Sequence, residues 1–242
     1  MKSPLLYILE VLFCSGLLLA FYRLLLVRKV SFRACRRYLV AAVFLSAVIP
    51  ALDIPLYPAR TVVYPLPLIA APPAENFVQT TGELPVAVPV VPSGWRRILR
   101  PVAVGGYLTA VFLSLGFLAV RMVGIRRLRR RSRLTDCGAY TLAEHPQIAT
   151  PFSFLRTVFL GGGYEGRRRM IVLCHEAGHV RHRHSAERIA VELVRSLFWF
   201  NPFVWIAGRW LQEVHEWEAD RDVLDAGYDL TEYRTVIFHQ LF

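Results

Sequence analysis

The stretch Val172-Leu-Cys-His175-Glu176-Ala-Gly-His179-Val180 carries an H-E-x-x-H motif within an apolar, helix-compatible run. One helical turn puts His175 and His179 on the same face, where both imidazoles can reach a single metal ion, with Glu176 beside them. Zinc accepts nitrogen ligands at about 2.0–2.1 Å, and a catalytic site keeps a fourth position for water, whose pKa falls to about 7. Glu176 would take that water's proton and later hand it to a leaving amine. The competing reading is a surface helix with two solvated histidines. The apolar flank from Met170 to Cys174 and a third ligand downstream argue against it.

The long form H-E-x-x-H-x-x-G-x-x-H is excluded, because His182 and Ser185 stand where its glycine and third histidine would be. No glutamate stands at the nearer downstream place, which Phe198 to Phe200 occupy. The remaining acidic cluster is His215-Glu216-Trp217-Glu218-Ala219-Asp220. Within it Glu216 would bind zinc, and Asp220, one turn on, would accept the distal N–H of a ligand histidine. His182 and His184 read as solvated or headgroup-facing. Cys174 adjoins His175 but points about 100° away around the helix, which suits a small buried residue rather than a ligand. Tyr228, His215 and Tyr233 are unranked candidates for an oxyanion donor.

Glu216 reaches the histidines only if the chain returns. Residues 189–211 are long and apolar enough for a membrane span, but a single crossing would leave Glu216 about 30 Å from His179. A hairpin turning at Asn201-Pro202 instead runs out about 22 Å and back about 20 Å. Asn201 suits an N-cap and Pro202 a first helical position, while Ser185 can cap a helix over 186–200. In the returning helix Phe203, Ala207, Trp210, Val214 and Trp217 share one face, and Arg209, Glu213, Glu216 and Asp220 another. Trp199, Phe200, Trp205 and Trp210 lead us to expect the hairpin's apolar faces on the inner leaflet. Upstream, Asp136-Cys-Gly138 reads as a turn, Ala139–Leu142 as a short strand, and Pro151–Leu160 as a second strand closed by Gly161 to Gly163. That second strand serves equally as core or as an edge that holds a substrate peptide in extended form.

The chain of 242 residues is 55% hydrophobic, high for a soluble domain. Its apolar segments predict three transmembrane helices at about 4–27, 38–57 and 102–120. The first is too long for a signal peptide and has no small-residue cleavage site after it. The net charge of +11 invites a nucleic-acid reading, but the run Arg126 to Arg133 begins just after the third segment. Arg28, Lys29, Arg33, Arg36 and Arg37 lie between the first two segments. The proline-rich loop 53–95 carries one basic residue, Arg60, and three acids before Trp95. The positive-inside rule therefore places the N-terminus and this spacer-like loop outside and both basic runs inside, facing lipid headgroups, although Arg96, Arg97 and Arg100 run against it. The cysteines at 14, 35, 137 and 174 lack framework spacing and read as free thiols. Residues 1–133 thus form a membrane region and residues 134–242 a cytoplasmic domain.

The runs His175-Glu-Ala-Gly-His-Val-Arg-His-Arg-His184, Phe198-Trp-Phe-Asn-Pro-Phe-Val-Trp205 and Glu216-Trp-Glu-Ala-Asp220-Arg-Asp-Val-Leu224 resemble the beta-lactam sensor-transducer (antirepressor) family of integral-membrane zinc metallopeptidases. With Pro151-Phe-Ser-Phe154 upstream they fall in the family's order and cover about residues 145–240. The resemblance implies a mainly α membrane protein: three transmembrane helices plus a cytoplasmic α+β zincin-like metallopeptidase domain with a helical hairpin. It implies that His175, His179 and Glu216 hold Zn2+ and that Glu176 is the general base. It further implies cleavage of a protein substrate (a transcriptional repressor, the chain itself or a membrane-associated protein) at the cytoplasmic face of a bacterial inner membrane, in signal transduction.

Two departures bear on this. No penicillin-binding sensor domain follows, and the helix-like run from Tyr233 reaches the last residue, Phe242, which makes a longer native chain the expectation. Ala219 stands where many relatives carry cysteine, and Ala-Asp here is similar to membrane peptidases of prenylated or damaged proteins. The alternatives are therefore a quality-control or prenyl-protein-type zinc protease, or a non-catalytic transducer with a structural metal. Membrane lipid is an expected partner and nucleic acid is not.

Overall fold

The computed structural model describes residues 4–27, 29–52 and 94–241; the proline-rich stretch 53–93 lies outside the described residues. The described chain is mainly helical with one small sheet. Helix α1 (Pro4–Phe21) continues through a wider turn, Tyr22–Leu26; α2 (Phe32–Val48) ends in a tighter turn, Ile49–Ala51; α3 spans Gly94–Arg131. The segments Pro4–Leu26, Phe32–Ala51 and Ile98–Arg131 are each long and apolar enough to cross a membrane. Helix α2 starts earlier than the apolar segment at 38, because Ser31 caps it and its first turns carry Arg33, Arg36 and Arg37. It ends at Ala51 with Leu52 already extended, and residues 53–57 lie outside the described ones. Helix α3 does not stop at 120. It continues through Gly124 and the arginine run, since arginine is a good helix former and no proline breaks the backbone there.

The chain divides into two units, Met1–Leu52 with Tyr107–Phe242, and Asp53–Gly106; the described part of the second is the helical stretch 94–106. In the first unit a four-stranded sheet has the order β1-β2-β4-β3, with β1 Arg133–Asp136, β2 Thr141–Glu144, β3 Phe152–Phe154 and β4 Thr157–Leu160. Strand β2 lies two residues later than expected and pairs with β1, unforeseen, across a turn that Gly138 makes at φ 75°. Residues 151–160 are a hairpin rather than one strand. It reverses at Leu155, φ 52°, a position with no glycine, asparagine or proline to mark it in the sequence. The central strand β4 is wholly buried, and β3 forms one edge, β1 the other.

Four helices follow: α4 (Gly166–Arg181), α5 (His184–Leu197), α6 (Pro202–Asp225) and α7 (Leu230–Leu241). Helices α5 and α6 form the hairpin, with the Asn201 side chain accepting from the Phe203 N–H at 2.9 Å as N-cap. On α6 the stripe Val204, Ala207, Leu211 and Val214 recurs every three or four residues and buries itself against Leu19 and Tyr22 of α1 and Cys35, Leu39 and Val43 of α2. This stripe of the hairpin therefore packs on protein, while Leu193, Leu197, Trp199 and Trp205 remain exposed. The hairpin's tip reaches mid-length of α1, where fully buried Asn201 donates from Nδ2 to Ser15 Oγ at 3.0 Å. The Phe203 ring lies against Gly16, where a Cβ would come within 3.1 Å of it. The outer face of α1, with Leu5, Leu9, Phe13, Leu17 and Leu24, remains exposed and apolar, as a lipid-facing surface should.

Candidate metal centre

Helix α4 packs through Ile171 and Val172 onto Leu142, Val158 and Leu160 of the sheet. Helix α6 crosses it closely: a Cβ on Gly178 would come within 3.3 Å of Ala219 Cα and 3.1 Å of the Asp222 carboxylate. Two small residues at the crossing let the backbones touch, and this brings Glu216, one turn before Ala219, over the histidines. His175 Nε2 lies 3.2 Å from His179 Nε2, and Glu216 Oε2 lies 3.4 Å from the first and 3.6 Å from the second. A tetrahedral ion with bonds of about 2.0–2.1 Å separates its ligand atoms by about 3.3–3.4 Å, so this triangle has the size of one face of such a site. The three residues form the candidate metal-binding group among the described residues. The triangle opens on a cleft of about 290 Å³ walled by Phe152 and Ser153 of the edge strand, Glu176, Arg188 and Gln212.

The charges around the triangle favour a cation. Burial works against the protonated form of His175, but the Asp220 and Glu216 carboxylates outweigh it and push the pKa up to about 9. Burial would push the Glu216 carboxyl up, yet its contacts with both imidazoles hold it well below the usual carboxylate range. Glu176 is buried, which raises its pKa, while the two histidines and the Ser153 hydroxyl pull the other way.

Behind the triangle each histidine meets a different partner. His175 Nδ1 lies 3.2 Å from Asp220 Oδ1 and 2.8 Å from the Tyr233 hydroxyl, which itself donates to Asp220. His179 Nδ1 lies 2.8 Å from Nδ1 of His184. His184 is neither solvated nor headgroup-facing: it is 1% exposed, because Arg183 at φ 59°, just before α5, turns the next residue inward at the start of that helix. Burial and the neighbouring His215 hold it neutral, far below the ordinary histidine pKa. His182 is half-buried and reaches Asp222 at 3.0 Å. Neither joins the triangle.

The remaining sequence candidates sort clearly. Cys174 is half-buried beside the sheet core and stands apart from the triangle, as does Tyr228, which packs in the same cluster. Tyr233 is engaged behind His175, and His215 contacts Glu187 at 2.8 Å through Nε2. Of the three oxyanion candidates His215 alone lines the cleft; Arg188 and Gln212, not singled out in the sequence, also do. Also missed were Ser153, His184, Glu218 and Arg36. Glu218 could have been found, because it continues the stripe 204, 207, 211, 214 and a carboxylate on a buried stripe needs a partner.

A family model described as BlaR1 peptidase M56 matches residues 15–235. No curated protein matches the chain.

Proposed function

Since the chain belongs to the BlaR1 peptidase M56 family and carries three helices long and apolar enough to cross a membrane, we propose that it is a zinc-dependent endopeptidase acting at the cytoplasmic face of a bacterial inner membrane. The observation that carries this reading is the triangle of His175, His179 and Glu216, sized for a tetrahedral ion and flanked by a buried glutamate. Zinc held there would supply a Lewis acid that acidifies water and polarises a scissile carbonyl. Glu176 accepts the proton of the attacking water and returns it to the leaving amine, its pKa raised by burial toward the working range of a general base. Asp220 fixes the ring of His175 through Nδ1.

The edge strand β3 supports a polypeptide substrate. Among the described residues its outer side has no strand partner, and Phe152 and Ser153 wall the same cleft as Glu176, so an extended segment adding to that edge would pass the triangle. The substrate in this reading is a repressor, the chain itself or a membrane-associated protein, cleaved in response to a signal. In this reading the α+β, zincin-like part is residues 134–242 and the membrane region residues 1–133. The orientation draws support from Arg33 and Arg36, in the basic stretch at the start of α2, which reach Glu218 two residues beyond Glu216.

The test is the full chain in membranes, with zinc content and cleavage of a co-expressed candidate repressor measured together. Glu176→Gln is expected to keep its zinc and lose about 10²–10⁴-fold in cleavage rate. Glu216→Ala is expected to lose zinc. Unchanged cleavage by the first variant, or full zinc occupancy in the second, overturns the assignment of that residue.

A further inference from the structure

Beyond the ligands runs a chain of buried polar contacts that ends in a membrane helix. His179 Nδ1 meets His184 Nδ1 at 2.8 Å, His184 Nε2 meets Glu218 Oε2 at 3.1 Å, and Glu218 Oε2 meets Arg36 Nη1 of α2 at 2.5 Å. A second branch closes a ring: Arg36 Nε lies 3.4 Å from Glu187, which lies 2.8 Å from His215 Nε2. His215 stacks on His184 with ring centroids 4.0 Å apart and planes 13° from parallel. His184, His215 and Glu218 are almost wholly buried, so none is a solvated surface group.

The order of contacts decides the protons. Toward the Glu218 carboxylate His184 must donate from Nε2, which leaves its Nδ1 as a bare acceptor. His179 must then donate from Nδ1, and its Nε2 lone pair is the one turned to His175 and Glu216. In this arrangement the carboxylate, made firm by Arg36, acts on His179 through an intervening imidazole. It keeps the ring in the only tautomer that can bind a metal through Nε2 and makes that nitrogen a better donor.

We infer that His184 and Glu218 are positioning residues for the metal site, and that Arg36 makes the geometry of α2 a determinant of metal affinity at His179. This rests on the zinc reading above. It adds that a displacement of α2 which separates Arg36 from Glu218 loosens the orientation of His179 without touching any ligand. That is a route by which an event in the membrane region reaches the site.

The experiment uses the full chain in nanodiscs, with Zn2+ affinity measured by chelator competition and Co2+ as a spectroscopic probe of the coordination sphere. Glu218→Gln and Arg36→Ala are each expected to weaken binding by about 10–100-fold and to shift the cobalt visible band, with Arg36→Lys restoring both in large part. Thermal unfolding of the metal-free proteins accompanies them, since a merely structural role would lower stability and leave the cobalt spectrum unmoved. Should Glu218→Gln not fold, Arg36→Ala, which keeps every group around His179, carries the test. Wild-type affinity and an unshifted band in the folded variants overturn the inference. Wild-type protein that takes up neither ion overturns the zinc reading itself, an outcome distinct from the first.

Discussion

His175 and His179 stand one turn apart on one helix and are interchangeable in the motif, yet their surroundings are opposite in kind. His175 is backed by Asp220 and Tyr233, from the C-terminal part of α6 and from α7, and the Asp220 side chain is 38% exposed. His179 is backed by His184 and Glu218, buried groups whose last partner, Arg36, lies on α2. One support is local and reached by water. The other is dry and joined to α2, a helix long and apolar enough to cross a membrane. In a dry setting a charged pair is unforgiving when half of it is removed, whereas a water-exposed carboxylate can be lost with little consequence for stability. The two sides should therefore fail differently under the same kind of substitution.

The largest difference is expected in stability. Glu218→Ala leaves Arg36 without its main counter-charge in a buried place, and a cost of about 3–5 kcal/mol in thermal or denaturant unfolding is expected. Asp220→Ala should cost under about 1 kcal/mol, because water replaces the lost carboxylate. Equal losses at the two positions would erase the contrast between the supports. Next comes Tyr233→Phe, which removes the hydroxyl that contacts both His175 and Asp220 while keeping the ring in its core. Metal affinity should fall by about 10-fold, at the low end for such partners, since Asp220 still reaches His175. Unfolding of the metal-free protein should hardly move. A drop in stability larger than the drop in affinity would mean that Tyr233 serves the core rather than the histidine.

These contrasts also explain what could be read from the sequence. His175, Glu176 and His179 are visible because four-residue spacing on a helix is a local property. Glu216 became accessible because Asn201-Pro202 marks a reversal, and the structure does bring it to the two imidazoles. Three apolar segments were equally plain from length and composition. The support of His179 was not, because Arg36 and Glu218 are separated by 182 positions and nothing in either neighbourhood announces the other. His184 was misjudged since a histidine beside Arg181 and Arg183 looks solvated until the left-handed turn at Arg183 is known. The hairpin at Leu155 escaped because its turn has strand-like composition. The depth at which the hairpin tip docks on α1 was not legible either, as tryptophans and phenylalanines fit a leaflet surface as well as a groove between helices.

That depth supplies the smaller predictions, which probe how firmly the dry side is held. Asn201→Ala removes an N-cap and the donor to Ser15 together, and about 1–2 kcal/mol of destabilisation is expected. Retained stability would mean that the hairpin tip is held by its apolar stripe alone.

Ser15→Ala should give the smallest effect, about 0.6 kcal/mol, the average for a polar contact between helices in a membrane. The reason lies in what each partner keeps. The Ser15 hydroxyl also donates to Val11 O at 2.7 Å within its own helix, so the serine has a local alternative in any state that keeps α1 helical. Asn201 loses one acceptor but retains the Phe203 N–H as cap, so α6 still starts at Pro202 and Glu216 keeps its height above the histidines. Metal affinity of Ser15→Ala should therefore equal that of the wild type, while Arg36→Ala, on the neighbouring helix, lowers it. A measurable loss of affinity in Ser15→Ala would show that the site senses the docking of α6 on α1 as well as the charge on α2, and the path from membrane to His179 would then run through the helix as a body rather than through the chain of polar contacts.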